Sequence, residues 1–255
     1  MTLSVVVITC NEEHNIGRLL ESVSWADECI VLDSGSTDRT LEIARSRGAK
    51  VYCEPWKGYA AQKNSAIEKA GGAWILALDA DEAVEPELMA EIRYVIDRDP
   101  PAHGYRIPFK HFFLGRWMRH GGYYPDRKLR LFRRGHGSFG ERSVHESVQV
   151  NGPVATLSHA ILHYGYPSLE GYIRSTNRYS SLGAEIVLAG GRRRFSVMNV
   201  FVRPLITFLY NYVFRLGFLD GKEGLLLHLY HAAYVSWKYA KAWELGKRCA
   251  RPEKQ

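Results

Sequence analysis

The sequence predicts an α/β chain: a doubly wound, mostly parallel sheet with helices on both faces, followed by a helical tail. Three observations carry this. Short β-branched runs alternate with segments of helical spacing through residues 1–100. Polar and acidic residues gather directly after three of those runs. The texture then changes after Pro100-Pro101, and helical patterning returns only at Ser168.

Residues 3–9 are a β-branched run fit for a buried strand, and residues 11–23 carry helical spacing through Ile16, Leu19, Leu20 and Val23. Residues 29–32 read as a second strand, ending at Asp33-Ser34-Gly35-Ser36. A helix over 37–47 has Asp38 near its start, where a carboxylate suits the free N–H groups of a first turn. Residues 50–52 make a third strand, 58–70 a helix, 74–78 a fourth strand, and 86–97 a helix opened by Pro86. Repetition at this pitch implies right-handed crossovers. Residues 104–165 are rich in Gly, aromatics and Arg, with short strands such as Leu129-Arg130-Leu131-Phe132. Helical patterning fills roughly 168–190, 197–217 and 222–247, and Gly190-Gly191 before Arg192-Arg193-Arg194 separates the first two blocks.

Apolar residues make up 46% of the 255 and charged residues 24%, a globular balance that argues against long disorder. The net charge of +7 is uneven. Residues 1–100 hold 10 Lys+Arg against 18 Asp+Glu, a balance of −8, whereas residues 101–255 hold 24 against 9, a balance of +15. The basic part should face something anionic: nucleic acid, phospholipid or a phosphorylated glycan. Nucleic acid is not the expected partner, because the aromatics fall at helical spacing and no recognised nucleic-acid motif is present. Cys10, Cys29, Cys53 and Cys249 show no paired spacing, and two lie in apolar runs, so they read as reduced core thiols in a cytosolic setting. Met1 leads almost directly into the first apolar run with no basic leader, and that run is too short to span a bilayer.

Ligands of parallel α/β sheets bind beyond the carboxyl ends of the strands. Thr9, Asn11, Glu12 and Glu13 follow the first strand, Asp33 to Asp38 the second, and Asp79, Asp81 and Glu82 the fourth. Taken singly, Asn11 and Asp38 are also good helix caps, and Asp33 a good turn residue. In Asp79-Ala80-Asp81, two carboxylates one residue apart can place oxygens on one hard cation, Mg²⁺ or Mn²⁺, although many surface turns carry the same pattern.

The runs Ser4-Val5-Val6-Val7-Ile8-Thr9-Cys10-Asn11-Glu12-Glu13, Val31-Leu32-Asp33-Ser34-Gly35-Ser36-Thr37-Asp38 and Leu78-Asp79-Ala80-Asp81-Glu82 agree in order and spacing with the family 2 glycosyltransferases of GT-A fold, which this chain resembles over its first hundred residues. The resemblance implies a nucleotide-sugar site, with a UDP-sugar as donor. It puts Thr9 and Glu12 near the nucleoside and Asp33 on the uracil, with Asn11 beside them. Lys63 would reach toward the nucleotide, Asp79 would contact ribose or metal, and Asp81 would ligate the metal. With the change of texture after residue 100 and the helical patterning from 168 on, the expected division is a catalytic domain over 1–165, with 1–100 for the donor and 101–165 for the acceptor, and a membrane-apposed helical tail over 166–255.

An inverting transfer needs a general base near the acceptor hydroxyl. Glu146 is preferred, because Val144-His145-Glu146 resembles a stretch of the lipopolysaccharide-core branch of the family; Glu141 is the second candidate, or a salt-bridged surface residue, and His145 would orient the base. His163 is a third metal ligand or a buried structural histidine. The basic run from Arg127 to Arg134 reads as a strand with its cations on one side, contacting phosphate or forming a solvated edge. Phe214 to Gly221 resembles the tail of lipopolysaccharide inner-core β-1,4-glucosyltransferases. The acceptor implied is a lipid-linked glycan such as a core heptose; a polyprenyl phosphate or a protein side chain is the alternative. Aromatics mixed with Arg203, Arg215, Lys238 and Lys241 suit helices lying on an anionic membrane surface, or a helical lid. The expected location is peripheral, on the cytoplasmic face of the inner membrane.

Overall fold

Strand β1 (Leu3–Thr9) is apolar on both sides, the mark of a strand covered on both faces. Leu3, Val5 and Val7 face one core and Val6 the other, all at most 3% exposed. The strand pairs in parallel with β2 (Glu28–Asp33), which pairs with β3 (Lys50–Cys53); its other edge takes β4 (Trp74–Asp79). The computed structural model describes residues 1–140, 147–191 and 195–250.

Helices α1 (Ile16–Ser22) and α2 (Thr40–Ser46) pack Ile16, Leu19 and Ala44 against Val5, Val7 and Val31. On the other face α3 (Tyr59–Glu68) places Ala60 and Ala66 against Val6, Ile30 and Ile75. Small residues there let the helix approach the sheet closely. After β5 (Glu82–Val84), α4 (Pro86–Ile96) adds Leu88, Ile92 and Ile96 to the first face. Helix α1 begins five residues later than its spacing predicts, because Asn11 adopts a left-handed backbone (φ 56°) and Glu12 opens a turn. Helix α2 likewise starts at Thr40, whose N–H is taken by Asp38 Oδ1 at 3.0 Å.

The remaining strands are largely antiparallel. Strand β6 (Gly104–Phe113) pairs at its far end with β7 (Arg116–Trp117) and along Gly104 to Phe109 with β8 (Asp126–Arg133). Strand β8 also runs antiparallel to β4, which joins it to the parallel half. The β6–β8 register slips: Tyr105 faces Leu131 and Arg106 faces Leu129, so Arg130 is the extra residue of a bulge. Strands β9 (Gly137–Phe139) and β10 (Val148–Val150) form a separate ribbon, and β11 (Val154–Thr156) lies along β6. Strand β12 (Ile161–Tyr166) pairs with β5 and sets His163 opposite Glu82.

The chain forms two compact units, Met1–Lys110 with Pro125–Gly165, and His111–Tyr124 with the chain from Tyr166 on. In the second, α5 (Leu169–Ala189) lies beside α7 (Gly221–Ala250). Between them come a π-helical turn (Met198–Val202), α6 (Arg203–Leu209), a second π turn (Tyr210–Phe214) and a 3₁₀ turn (Gly217–Asp220). Phe113, Met118, Tyr172 and Leu227 make its core. Asp220 receives the His120 backbone N–H at 2.9 Å and pairs with the His120 ring at 2.8 Å, which ties the β7 hairpin to the 3₁₀ turn. No described helix is long and apolar enough to cross a membrane.

Two expectations need correction. Cys10 and Cys53 are exposed rather than core thiols, because both stand where a strand runs out; Cys29 is half-buried, and burial pushes its thiol up to about 12. Lys241 spends its donors on Asn177, Ser180 and Ser181 at 2.7–2.9 Å, which fastens α7 to α5, so it is no free surface charge.

The entry to β4 yields two predictions. A Cβ at Gly72 would lie 2.5 Å from Ser4 Oγ and 2.7 Å from the Ser4 nitrogen. Gly72→Ala should therefore cost about 1–3 kcal/mol in denaturant melts, the usual scale of overpacking. Beside it, Glu28 accepts Ser4 Oγ at 2.5 Å, Gly71 N at 2.6 Å and Lys50 Nζ at 2.6 Å. Burial alone would raise this carboxyl, but the donors pull it from the usual 4.5 to about 2. A depressed carboxylate stabilises fully above its unfolded value and loses that contribution as pH falls toward the folded one. The stability gap between wild type and Glu28→Gln should thus shrink as pH drops from 4.5 to 2; a constant gap would contradict the ionic role.

Candidate active site

The loop after β2 is organised by one carboxylate. Asp33, 1% exposed, receives the Thr9 hydroxyl at 3.1 Å and the Ser36 hydroxyl on Oδ1, and the Gly35 and Ser36 N–H groups at 2.8 Å on Oδ2. Four donors fill its four lone-pair directions. Burial alone would raise this carboxyl, but the donors from Ser36, Gly35 and Thr9 hold it below its ordinary value. Asn11 ties the two neighbouring loops together: its N–H donates to Ser36 Oγ at 2.8 Å and its Oδ1 accepts the Thr37 N–H at 2.8 Å. Glu12 donates its N–H to Thr40 Oγ1 at 2.8 Å. Its carboxyl is raised, first by burial and then by Asp81, Asp38 and Asp79, against a hydrogen bond from Asn15.

At the end of β4, Asp79 is held by two cations. Lys63 Nζ stands 2.7 Å from Oδ1 and Arg130 Nη2 2.8 Å from Oδ2. Arg130 also donates to Glu82 Oε1 at 2.7 Å, and Glu82 Oε2 accepts the Asp79 N–H at 2.9 Å. Burial would raise Asp79, yet its side chain is 34% exposed and the two cations hold it well below the usual carboxylate range. Glu82, 1% exposed, is raised by burial and by the Asp79 and Asp81 carboxylates, with Arg130 opposing.

Asp81 turns the other way. Its carbonyl accepts the Tyr164 N–H at 2.9 Å and its Oδ2 stands 3.2 Å from His163 Nε2, a placement set by the β5–β12 pairing. Burial would lower the His163 imidazole, but the Asp81 carboxylate overrides it and raises it. Among the described residues no three His, Cys, Asp or Glu side chains stand in metal-holding geometry. An oxygen of Asp81 and a nitrogen of His163 come within 3.2 Å; the carboxylate suits Mg²⁺ or Mn²⁺, and the imidazole makes the pair fit Mn²⁺ better than the oxygen-seeking Mg²⁺. Lys63, 12% exposed on its side chain, holds its ammonium on Asp79, two residues before Asp81.

The structure therefore gathers Thr9, Asn11, Glu12, Asp33, Lys63, Asp79, Asp81 and His163 at the strand ends of one sheet. Glu141, His145 and Glu146 lie outside the described residues. Their flanks are fixed: the Gly140 N–H meets the Ser147 carbonyl at 3.3 Å, and the Phe139 ring lies 5.0 Å from Lys63 Nζ. Sequence reasoning gave Arg130 only the shared role of its run, phosphate contact or a solvated edge, and placed the cations of that run on one side. The bulge defeats that alternation: Arg130 is buried while Arg127 and Arg134 are exposed.

Comparison with known proteins places the fold and the family. A lipopolysaccharide core biosynthesis glycosyltransferase, LpsC of Rhizobium meliloti (strain 1021), is 31% identical, covering 99% of this chain and 96% of its own. An uncharacterized glycosyltransferase of Rickettsia bellii (strain RML369-C) is 32% identical over 97% of this chain and 88% of its own. The mannosyltransferase PcManGT of Pyrobaculum calidifontis, solved with GDP-Man and Mn²⁺, superposes with a TM-score of 0.56 at 16% identity, covering 95% and 87% of the two chains, which shows a shared GT-A fold. Residues 4–148 match the family Glycosyl transferase family 2, and with a full-length relative above 30% identity the chain belongs to that family.

Proposed function

We propose that this enzyme transfers a hexose, glucose from UDP-glucose, to a lipid-borne acceptor such as a heptose of the lipopolysaccharide core, with inversion at the anomeric carbon. The observation that carries the reading is the pair of contacts at the β4 end, Asp79 with Lys63 at 2.7 Å and Asp81 with His163 at 3.2 Å. The full-length likeness to a lipopolysaccharide core biosynthesis glycosyltransferase supports the acceptor class.

Asp33 and Asn11 shape the loops that seat the nucleoside, with Thr9 and Glu12 alongside; a uracil N3–H reaches Asp33 by displacing one of its hydroxyl donors. Asp81 and His163 would hold a divalent cation, Mg²⁺ or Mn²⁺, which would supply charge neutralisation for the departing diphosphate. Lys63 adds a second positive charge there. The acceptor oxygen attacks the anomeric carbon, the bond to UDP breaks, and the hydroxyl proton passes to Glu146, with Glu141 as the other candidate base and His145 orienting it.

The second unit supports a membrane-surface location. Large apolar side chains from Phe195 to Leu219 are exposed, among them Phe201 at 68% and Phe214 at 77%. Arg203 and Arg215 are exposed within the same segment. Exposed apolar area on this scale marks an interaction surface, and aromatic side chains mixed with arginine fit an anionic headgroup layer. The site would then work peripherally, on the cytoplasmic face of the inner membrane.

Asp81→Asn should leave the fold intact and cut transfer from UDP-glucose by about 100-fold or more, and excess chelator should do the same to the wild type. Full activity in chelator would sink the metal assignment. Separately, the protein should bind anionic vesicles with an affinity that falls as salt rises, because each basic residue near the surface contributes up to about 1 kcal/mol. Phe201→Glu with Phe214→Glu should abolish that binding. Equal partitioning to neutral vesicles, or none to either kind, would make this face a lid or an oligomer interface.

A further inference from the structure

Arg130 is the extra residue at the β8 bulge, which takes its side chain out of the strand's alternation and aims it at the ends of β4 and β5. Its guanidinium side chain is 8% exposed. One nitrogen, Nη2, donates to Asp79 Oδ2 at 2.8 Å and to Glu82 Oε1 at 2.7 Å, while Nη1 reaches the Ala77 carbonyl at 3.4 Å. The Phe109 ring lies 5.3 Å away on one side. Glu82 completes a frame by accepting the Asp79 N–H at 2.9 Å. Asp79 is thus gripped by backbone and side chain, and its other oxygen holds Lys63 Nζ at 2.7 Å.

Asp79 carries the negative charge that both Arg130 and Lys63 face. A cation seeking an Asp79 oxygen would have to displace an ammonium or a buried guanidinium. Asp81, by contrast, meets an imidazole nitrogen, itself a metal ligand type. The two carboxylates of the Asp79-Ala80-Asp81 motif therefore face different partners.

We propose that Arg130, braced by Glu82, is a positioning residue that clamps Asp79 so that Asp79 aims the Lys63 ammonium at the donor diphosphate and stays outside the metal shell. The proposal rests on the nucleotide-sugar reading above. Arginine is required because three acceptors on two strands need a planar fork of donors, which the point charge of lysine lacks. Since Arg130 acts through Lys63, losing both should cost little more than losing Lys63 alone.

The test is a double-mutant cycle read by calorimetry with UDP at saturating Mn²⁺, together with Mn²⁺ binding without nucleotide followed by electron paramagnetic resonance. Lys63→Met should weaken UDP binding by about 10-fold or more, the scale of a charge-assisted hydrogen bond. Arg130→Lys should weaken it several-fold alone but less than about twofold in the Lys63→Met background. Mn²⁺ affinity should hold in Arg130→Lys, Lys63→Met and Asp79→Asn, and fall in Asp81→Asn. Additive losses of UDP affinity would overturn the clamp, as would an Asp79→Asn loss of Mn²⁺ affinity equal to that of Asp81→Asn. If Arg130→Lys fails to fold, Asp79→Asn takes its place in the cycle with the same two outcomes. A wild type that binds GDP and not UDP carries the same cycle on GDP, which separates a wrong base from a wrong clamp. A wild type that binds neither nucleotide ends both readings.

Discussion

The contact between Arg130 and Glu82 lies buried at 2.7 Å, and the arrangement of Asp79 and Lys63 hangs on it. Removing one member of such a pair leaves an unmatched charge in the interior, at a cost of about 3–5 kcal/mol. Arg130 opposes the burial and neighbouring carboxylates that raise Glu82, and Glu82 fixes the Asp79 backbone; Asp79 in turn takes Lys63. One arginine from an antiparallel strand thereby sets the electrostatics at the end of a parallel one. The pairing of β4 with β8 is what brings them together.

A similar economy governs the first two strand ends. Asp33 collects two hydroxyls and two backbone N–H groups, and Asn11 bonds both neighbouring loops, so each loop is held by side chains rather than by helix or ladder. These are the places where helices α1 and α2 start late. Local propensity yields to polar satisfaction there, as functional sites often require.

Strands β1 to β4 were legible because buried parallel strands read as unbroken apolar runs, and α4 because proline opens it. The three acidic clusters were legible as clusters, and the β5–β12 pairing does set His163 beside Asp81. Strand β5 was missed: three residues inside an acidic motif offer no periodicity to detect. The inward turn of Arg130 was missed for a different reason, since a bulge breaks the period of two on which strand reasoning depends. Cys10 and Cys53 were misplaced because nearness to an apolar run does not imply burial: Cys10 follows the last residue of β1, and Cys53 ends β3, none of whose residues is fully buried.

The two ends of the mechanism make different demands on the chain. The donor end needs rigid, charge-matched side chains on strand ends, and the described geometry supplies them. The proposed lipid-borne acceptor would need access to a membrane surface, and the exposed apolar segment from Phe195 to Leu219 would suit that need. The most direct test of the account is anomalous diffraction from crystals grown with UDP and Mn²⁺. The account predicts a manganese peak contacted by Asp81 and His163, with the diphosphate between that ion and Lys63. A peak on Asp79 with Lys63 swung away, or UDP bound away from the β1, β2 and β4 strand ends, would contradict it.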